Sequence, residues 1–393
     1  MAPKEGKSRK PANTAFKQQR LKAWQPILTP KTVLPTFFIV GVIFAPLGGL
    51  LLYESDSVSE ISIDYTQCST LAPFSTNFSD ATLLPDDAVD ISFAQDNATV
   101  EKAKWITYQA NVTFPEGATV PVNKCEIEFS IPAQLKPGVF LYYRLTNFYQ
   151  NHRRYVKSFD ANQLKGSAVS IGALQSSCKP LVSDSNGTII YPCGLIANSI
   201  FNDTFSDLTL LNLVGQGGDN STYNFTQRNI AWPSDKQKYG KTSYDVDSIV
   251  PPPNWAIRYV NGKYTADTVP DLHDDEHFQV WMRTAGLPDF RKLYAKNEVD
   301  VMLQGRYRIV IDDVFPVTKY GGTKSIVIST VSFLGGKNPF LGIAYISVGI
   351  VCVVLGCLFT ARHLYKPRKL GDHKYLSWNQ NASAGGATGT HRD

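Results

Sequence analysis

The stretch "VLPTFFIVGVIFAPLGGLLLY", residues 33–53, contains no charged residue in 21 positions. A second uncharged run of 21 residues, "FLGIAYISVGIVCVVLGCLFT", occupies 340–360. Each run matches the ~20 residues that a helix needs to cross ~30 Å of hydrocarbon. Neither shows the polar face expected of a long helix in a soluble core. We therefore predict two membrane spans, at 33–53 and 340–360.

The charged residues flanking these runs predict the orientation of the chain. Residues 1–31 carry eight Lys/Arg and the single acid Glu5, and residues 361–393 carry six Lys/Arg against Asp372 and Asp393. Because basic flanks stay in the cytosol, we expect both tails there. The predicted segments are a cytosolic N-terminal tail (1–32), a first span (33–53), a lumenal or extracellular ectodomain (54–339), a second span (340–360) and a cytosolic C-terminal tail (361–393).

The net charge of the tails excludes one class of partner. The summed net charge of the two tails is greater than the +5 of the whole chain, so the ectodomain has a net negative charge. Basicity confined to segments beside membrane spans points to anionic lipid, and we expect no nucleic-acid partner. The first span lies too far from the N-terminus, and is too long, for a signal-peptide core, so we interpret it as a signal anchor.

Glycosylation motifs agree with an ectodomain on the lumenal side. N-x-S/T sequons, which mark candidate surface positions for glycan, occur there at Asn77, Asn97, Asn111, Asn186, Asn202, Asn220 and Asn224. A further sequon, Asn381, lies in the C-terminal tail and is expected to stay unmodified.

The cysteines predict a disulfide-bonded ectodomain. Four of the six, Cys68, Cys125, Cys178 and Cys193, lie between the spans, in an oxidising compartment. Four cysteines allow three pairings. We favour Cys68–Cys125 with Cys178–Cys193, because those links do not cross along the chain. The remaining two lie inside the second span and are interpreted as small apolar residues.

The ectodomain is predicted to be mainly β. Residues 124–132 alternate strictly between apolar and polar, and three further stretches are rich in β-branched and aromatic residues, namely 140–149, 306–317 and 324–333. Residues 215–276 indicate a long, loop-dominated excursion. Helix is scarce, with 288–296 as one candidate. The expected fold class is a two-span membrane protein whose ectodomain is an antiparallel, sandwich-like β structure with long loops.

One short motif suggests a metallopeptidase. His273-Asp274-Asp275-Glu276-His277 has the H-x-x-E-H spacing of inverted zinc peptidases. Such a site needs both histidines on one helical turn. From His277 onward, however, the alternation predicts a strand, and we interpret the acids as a solvated loop. The sequence also lacks a nucleophile elbow, a phosphate loop and a dinucleotide fingerprint. We therefore expect no catalytic residue, no metal, no cofactor and no enzymatic activity.

Three stretches are candidates for binding a partner. Gly342, Gly349 and Gly356 recur every seven residues in the second span, and such stripes permit close helix packing, either against the first span or against a foreign helix. In the N-terminal tail, Phe16, Arg20 and Trp24 belong to a basic amphipathic segment suited to anionic lipid or to a partner. In the ectodomain, Arg153 and Arg154 lie among tyrosines, which indicates either an interface hot spot or a solvated strand face.

Six blocks of sequence resemble the cell division control protein 50 / ligand-effect modulator family. In order, they are "TAFKQQRLKAWQPILTP", "TNFYQNHRRYV", "PCGLIANSIFNDTF", "HFQVWMRTAGLPDFRKLY", "GGKNPFLGIAYISVG" and "PRKLGDHKYLSWN". They run from residue 14 to 379 around the same two-span topology, and the similarity is thin across 203–270. Some relatives carry an additional lumenal cysteine pair, which this chain lacks.

The resemblance implies a non-catalytic β-subunit of type IV P-type ATPases, the phospholipid flippases. The expected partner is the catalytic α-subunit, which would move membrane phospholipid from the lumenal or outer leaflet to the cytosolic one. The β-subunit would support folding, exit from the endoplasmic reticulum and activity of the pair, in the Golgi, endosomes or plasma membrane. The resemblance also implies a lumenal Cys178–Cys193 bridge and a tail segment, 13–31, along the ATPase's cytosolic side. The alternative is a self-sufficient two-span receptor or adhesion protein.

Overall fold

The structure is a computed structural model, and it describes residues 12–23, 28–93, 101–211, 221–332 and 335–367. The chain divides into two compact units. The helical unit comprises Met1–Leu52 and Phe340–Asp393, and the β unit comprises Tyr53–Pro339.

The secondary structure is dominated by strands in the β unit and by two long helices. The strands are β1 (Glu60–Asp64), β2 (Thr82–Leu83), β3 (Val89–Ser92), β4 (Lys104–Thr113), β5 (Thr119–Ile131), β6 (Val139–Leu145), β7 (Ile189–Ile190), β8 (Thr204–Phe205), β9 (Leu208–Leu210), β10 (Ser221–Tyr223), β11 (Ile249–Val250), β12 (Phe290–Asn297), β13 (Gly305–Asp313) and β14 (Lys324–Thr330). The helices are α1 (Pro30–Asp56), α2 (Cys68–Leu71), α3 (Arg153–Val156), α4 (Ala161–Leu164), α5 (Ile171–Ser177), α6 (Leu195–Asn198), α7 (Pro233–Lys236), α8 (Glu276–Met282) and α9 (Pro339–Tyr365).

The two predicted spans are continuous helices. α1 and α9 are each 27 residues long, so each extends a few residues beyond its uncharged run. Both are long and apolar enough to cross a membrane. Pro46 lies inside α1 without ending it, as proline can in membrane helices whose neighbours satisfy the freed backbone groups.

The first sheet of the β unit joins the two ends of the unit. Among the described residues it has five strands in the order β12-β6-β14-β1-β3, and its pairings are antiparallel. β1 lies between β14 and β3, and Ile63 is in register with Ile326. The first strand of the unit is therefore paired directly with the last.

The second sheet has seven strands in the described part of the chain. Their order is β10-β9-β13-β5-β4-β2, with β8 also pairing with β13. β5 is its longest strand, and Cys125, Ile127, Phe129 and Ile131 are all buried, as their alternation predicts. A short parallel pair, β11 with β7, lies apart from both sheets.

The two sheets share one hydrophobic core. Ile63, Leu141 and Ile328 of the first sheet and Ile127 and Ile309 of the second belong to the same buried cluster. The predicted sandwich-like β architecture is therefore confirmed.

Two disulfides brace the β unit. Cys68 of α2 is bonded to Cys125 of β5, and Cys178 is bonded to Cys193 within a smaller apolar cluster that includes Leu174. These links are the favoured pairing of the three. In the chain-entropy model, the 15-residue separation of Cys178 and Cys193 corresponds to about 3 kcal/mol of stabilisation.

Two secondary-structure predictions are wrong. Residues 276–282 form helix α8 instead of a strand, because the Asp275 carboxylate accepts a hydrogen bond from Phe278 N at 2.9 Å and caps the first turn. Residues 290–297 form strand β12 instead of a helix. β12 pairs with β6, and a register shift between Leu293 and Ala295 breaks the alternation that would have revealed a strand.

Candidate partner-binding surfaces

The glycine stripe of α9 faces α1. A Cβ atom built on Gly342 would lie 2.8 Å from Leu52 N, and one on Gly349 would lie 3.0 Å from Ala45 N. A Cβ on Gly356 would lie 3.1 Å from the ring of Phe38. All three glycines are buried. Of the two alternatives for Gly342, Gly349 and Gly356, the structure shows packing against the first span, because α1 occupies that face and leaves no room there for a foreign helix.

Other faces of the two helices remain open. Large apolar side chains such as Ile39, Val42, Ile350 and Val354 are at least half exposed, and no atom lies within 4 Å of a Cβ built on Gly49. Exposed apolar area on a membrane helix is covered by lipid or by another helix. The surfaces available to a partner within the membrane are therefore these outer faces.

The described part of the N-terminal tail presents an exposed basic segment. Phe16 and Leu21 are 75% and 62% exposed, and the guanidinium of Arg20 donates to the side-chain oxygen of Asn13. Trp24, the third residue predicted to bind there, lies outside the described residues. Phe16 and Arg20 are thus accessible to a lipid surface or to a partner protein.

Arg153 and Arg154 lie on a helical turn and not on a strand face. His152 caps α3, with its Nδ1 accepting from Arg154 N at 3.3 Å. The loop before it is anchored because Asn151 Nδ2 donates to Gly286 O at 2.9 Å.

This turn forms a cationic patch beside exposed apolar groups. Both arginines are exposed, and Tyr149 is 56% exposed. Within the described residues, neither arginine takes part in an ion pair. We call Tyr149 with Arg153 and Arg154 the basic patch; its unneutralised charge suits an acidic protein surface.

The H-x-x-E-H stretch does not form a metal site. His273 lies in the turn before α8 and contacts Tyr239 O at 3.2 Å, whereas His277 Nε2 contacts Gln227 Oε1 at 3.0 Å. No group of three or more potential metal ligands occurs in the part of the chain that the structure describes. The interpretation as a solvated acidic loop is also wrong for Glu276, which is buried and accepts from Ile230 N at 2.7 Å.

A buried ion network that the sequence analysis missed connects the two sheets. Lys324 Nζ, at the start of β14, donates to Asp203 Oδ2 at 2.7 Å, to Asp313 Oδ1 at 2.6 Å and to Phe315 O at 2.8 Å. Asp203 also accepts from Tyr65 OH at 2.8 Å. Burial raises the pKa of Asp203, while the Lys324 ammonium opposes that shift. The only available signal was one lysine opening an otherwise uncharged strand.

Lys292 is the second missed residue, and it fixes the end of α8. Its ammonium donates to Val280 O and Trp281 O, both at 2.9 Å, and to Arg283 O. These are carbonyls that the end of a helix leaves unpaired. Burial lowers the pKa of Lys292 to about 7, and the charge of Arg283 adds to that shift. The network of Lys324 and the cap formed by Lys292 bind acceptors of the chain itself and hold elements of the β unit together.

The predicted glycosylation sites differ in accessibility. Asn77, Asn111, Asn186 and Asn224 are exposed. Asn202 is half-buried, and its Oδ1 is buried without a hydrogen-bond partner. Asn97 and Asn220 lie outside the described residues.

Comparison with known proteins shows a relationship over nearly the whole chain. Residues 51–369 match the LEM3 (ligand-effect modulator 3) family / CDC50 family. The phospholipid-transporting ATPase accessory subunit CDC50 of Chaetomium thermophilum is 45% identical over 385 residues, which cover 96% of this chain and 93% of that protein. The accessory subunit CRF1 of Saccharomyces cerevisiae is 44% identical, covering 95% of this chain and 90% of that protein. Cell cycle control protein 50A of Bos taurus is 39% identical, covering 92% of this chain and 91% of that protein.

Proposed function

The chain belongs to the LEM3/CDC50 family, and from that membership we propose that it is the accessory subunit of a phospholipid-transporting ATPase. The observation that carries the proposal is the 45% identity over 96% of this chain to a relative named as such a subunit. The relationship includes both long helices and the β unit between them, so it covers the whole architecture and not one module.

The proposed partner is the catalytic α-subunit of a type IV P-type ATPase, in a heterodimer. In this pair the α-subunit hydrolyses ATP and moves phospholipid from the lumenal or outer leaflet to the cytosolic leaflet. The present chain contributes no catalytic residue; it supports the folding, the exit from the endoplasmic reticulum and the activity of its partner. Both tails lie in the cytosol and the β unit lies outside it, because the basic residues flank the spans on the tail sides.

Three surfaces are proposed to meet the partner. The outer faces of α1 and α9 offer exposed apolar side chains within the membrane. The basic patch of the β unit offers cations that are not neutralised within the described chain. On the cytosolic side, Phe16 and Arg20 are accessible. The proposal thus places contacts on both sides of the membrane and within it, which is the arrangement expected of an obligate pair.

The test is purification of the tagged chain from its own membranes in mild detergent. We expect a large ATPase to co-elute in stoichiometric amount, and deletion of the chain to reduce uptake of fluorescent phospholipid into the cytosolic leaflet. Recovery of a lone glycoprotein, with unchanged lipid uptake after deletion, would support the receptor or adhesion alternative.

A charge-reversed variant tests the basic patch within the same experiment. Arg153→Glu with Arg154→Glu should reduce the recovered ATPase while the chain itself still accumulates, because two repulsive charges would replace two attractive ones. The control is Lys165→Glu with Lys263→Glu, two exposed lysines elsewhere on the β unit. Equal recovery of ATPase with both variants would remove the basic patch from the proposed interface without affecting the proposed pairing.

A further inference from the structure

Within the described residues, the outer edge of β4 is open along about half of the strand. β2 covers the edge only at Lys104 and Trp105. Next to it, Thr107 N donates to Pro73 O and Thr107 O accepts from Ser75 N, both at 3.0 Å. From Tyr108 to Thr113, no backbone group of β4 has a partner on this outer side within the described residues.

The alternation of backbone groups along β4 shows which N–H and C=O groups point outward. The N–H and C=O of Thr107 point away from β5, since both bond to the segment outside it. Backbone groups alternate sides along an antiparallel strand, so those of Gln109, Asn111 and Thr113 also point outward. These three residues therefore present a row of unpaired donors and acceptors.

Among the described residues, the part of this edge from Tyr108 to Thr113 lacks the usual features that prevent association. Natural edge strands are protected by charges, prolines, bulges or covering segments. Residues 105–114, "WITYQANVTF", contain no charge and no proline and are rich in β-branched and aromatic residues. The register between β4 and β5 is unbroken from Lys104 to Thr113, so no bulge turns the edge aside. An uncharged, regular edge of this composition is a template for another strand.

A glycosylation motif lies within the open part of this edge and could protect it. Asn111-Val112-Thr113 is a sequon in the middle of the open stretch, and Asn111 is exposed. We propose that an N-linked glycan on Asn111 protects the open edge of β4 and prevents β4 of a second copy from pairing with it. The glycan is carried by a residue whose own backbone groups are unpaired. A paired strand would have to approach within about 4.8 Å of this backbone, and a hydrated oligosaccharide at Asn111 would obstruct that approach.

The modification requires the β unit to be lumenal, as proposed above. There the side-chain Nδ2 of Asn111 loses a proton and forms a bond to the anomeric carbon of an oligosaccharide, which leaves its diphosphate-linked lipid carrier. The role of this glycan is independent of which ATPase is the partner.

Three variants of the full chain test the proposal, with glycan occupancy measured by mass spectrometry. Asn111→Gln removes the glycan and leaves the edge uncharged. Asn111→Lys removes the glycan but places a charge on the edge. Asn186→Gln removes a sequon from a turn in which Asp184 Oδ1 accepts from Asn186 N at 2.9 Å and from Thr188 N at 2.7 Å.

We expect Asn111 to be occupied in the mature chain. Asn111→Gln should give a several-fold rise in a dimer peak on size-exclusion chromatography in mild detergent, because two identical edges that pair leave no further edge open, whereas Asn111→Lys and Asn186→Gln should elute as the native protein does. An unmodified Asn111, or an unchanged elution profile for Asn111→Gln, would overturn the proposal. So would failure of Asn111→Lys to restore native elution, because the glycan would then act on folding and not on the edge. Loss of the ATPase from Asn111→Gln without any oligomers would also overturn it, because the glycan would then act on the pairing with the ATPase and not on the edge.

Discussion

At the scale of single residues, buried lysines hold the β unit together. Lys324 is 2% exposed and Lys292 is 6% exposed. Each ammonium donates to three acceptors. Both buried charges are therefore satisfied, which is necessary because an unpaired buried charge is strongly unfavourable. Lys324 joins β14 to the remote residue Asp203 and to the end of β13, whereas Lys292 joins β12 to the end of α8.

Removing the Lys324 charge should destabilise the β unit strongly. Lys324→Met leaves Asp203 buried without its cation, and breaking one side of a buried pair costs about 3–5 kcal/mol. The control is Lys102→Met, which breaks an exposed pair with Asp86 worth less than about 1 kcal/mol. Thermal unfolding of the detergent-solubilised chain, followed by tryptophan fluorescence, measures both. Equal melting temperatures for the two variants would show that the network contributes little.

The cap formed by Lys292 predicts a pH dependence. Its folded-state pKa of about 7 lies below the ordinary value of 10.5. Between these values the unfolded chain holds the proton more tightly, so stability should rise with pH by up to a few kcal/mol. Below pH 7 both states are protonated and the contribution becomes constant.

The measurement is the difference in melting temperature between the native chain and Lys292→Met from pH 7 to 10. Ionisation of buried tyrosines lowers the stability of the folded chain only above this window, since an unfolded tyrosine ionises at about pH 10. Burial raises the pKa of Tyr155, for example, to about 12. We expect the melting temperature of the native chain to rise relative to that of Lys292→Met as the pH rises. Parallel curves would contradict the assigned pKa.

At the scale of elements, the packing of α1 against α9 depends on small residues. A Cβ on Gly349 would lie 3.3 Å from Ala45 Cβ, so only the missing side chain allows this approach. Both helices carry such positions because close contact, and not apolar burial, favours association in lipid.

A bulky residue at the contact should separate the two helices. We expect Gly349→Leu to lower the stability of the solitary chain in detergent by about 1–3 kcal/mol, the usual cost of overpacking. Gly49→Leu is the matched control, since its Cβ has nothing within 4 Å. If Gly349→Leu melts as the native chain does, the described packing is wrong. Loss of the ATPase with Gly49→Leu alone would place the partner against the Gly49 face.

Element types were predictable where one periodicity extended over many residues. β5 has seven positions of strict alternation, 125–131, and both spans have uncharged runs as long as a membrane requires. The types of short elements were not predictable, because the strand period of two and the helix period of about 3.6 fit them equally well. Phe278, Val280 and Met282 alternate as in a strand, yet Phe278, Trp281 and Met282 also share one helical face, and the Asp275 cap favours the helix.

Site residues were predictable only where a residue type alone limits the role. Cysteines in an oxidising segment predicted disulfides, and glycines in a span predicted close packing. Which helix the glycines face depends on tertiary structure, so the sequence left open whether they pack against the first span or against a foreign helix. Lys292 and Lys324 were missed because a lysine is usually exposed, and only the folded structure brings acceptors to it.

At the scale of the whole molecule, the proposed topology predicts a protease-resistant core. In sealed microsomes, protease added from outside should remove the basic tails and leave a fragment that contains both spans and the β unit. The fragment should become smaller after treatment with an endoglycosidase, while Asn381 should carry no sugar in the intact chain. Protection of either tail, or digestion of the β unit before detergent is added, would contradict the orientation.

The pairing of β1 with β14 has a consequence for synthesis. Glu60 of β1 is in register with Ser329 of β14, so the central ladder of the first sheet needs a strand that the ribosome delivers nearly last. At about 5–20 residues per second, β1 waits on the order of tens of seconds without this neighbour. Throughout that interval the side of β1 that will pair with β14 is open to resident chaperones, even where β3 has already paired with the other side. A chain truncated before residue 324 lacks β14 and cannot complete this sheet. The first sheet can therefore be complete only in chains whose synthesis has come within a few residues of the second span.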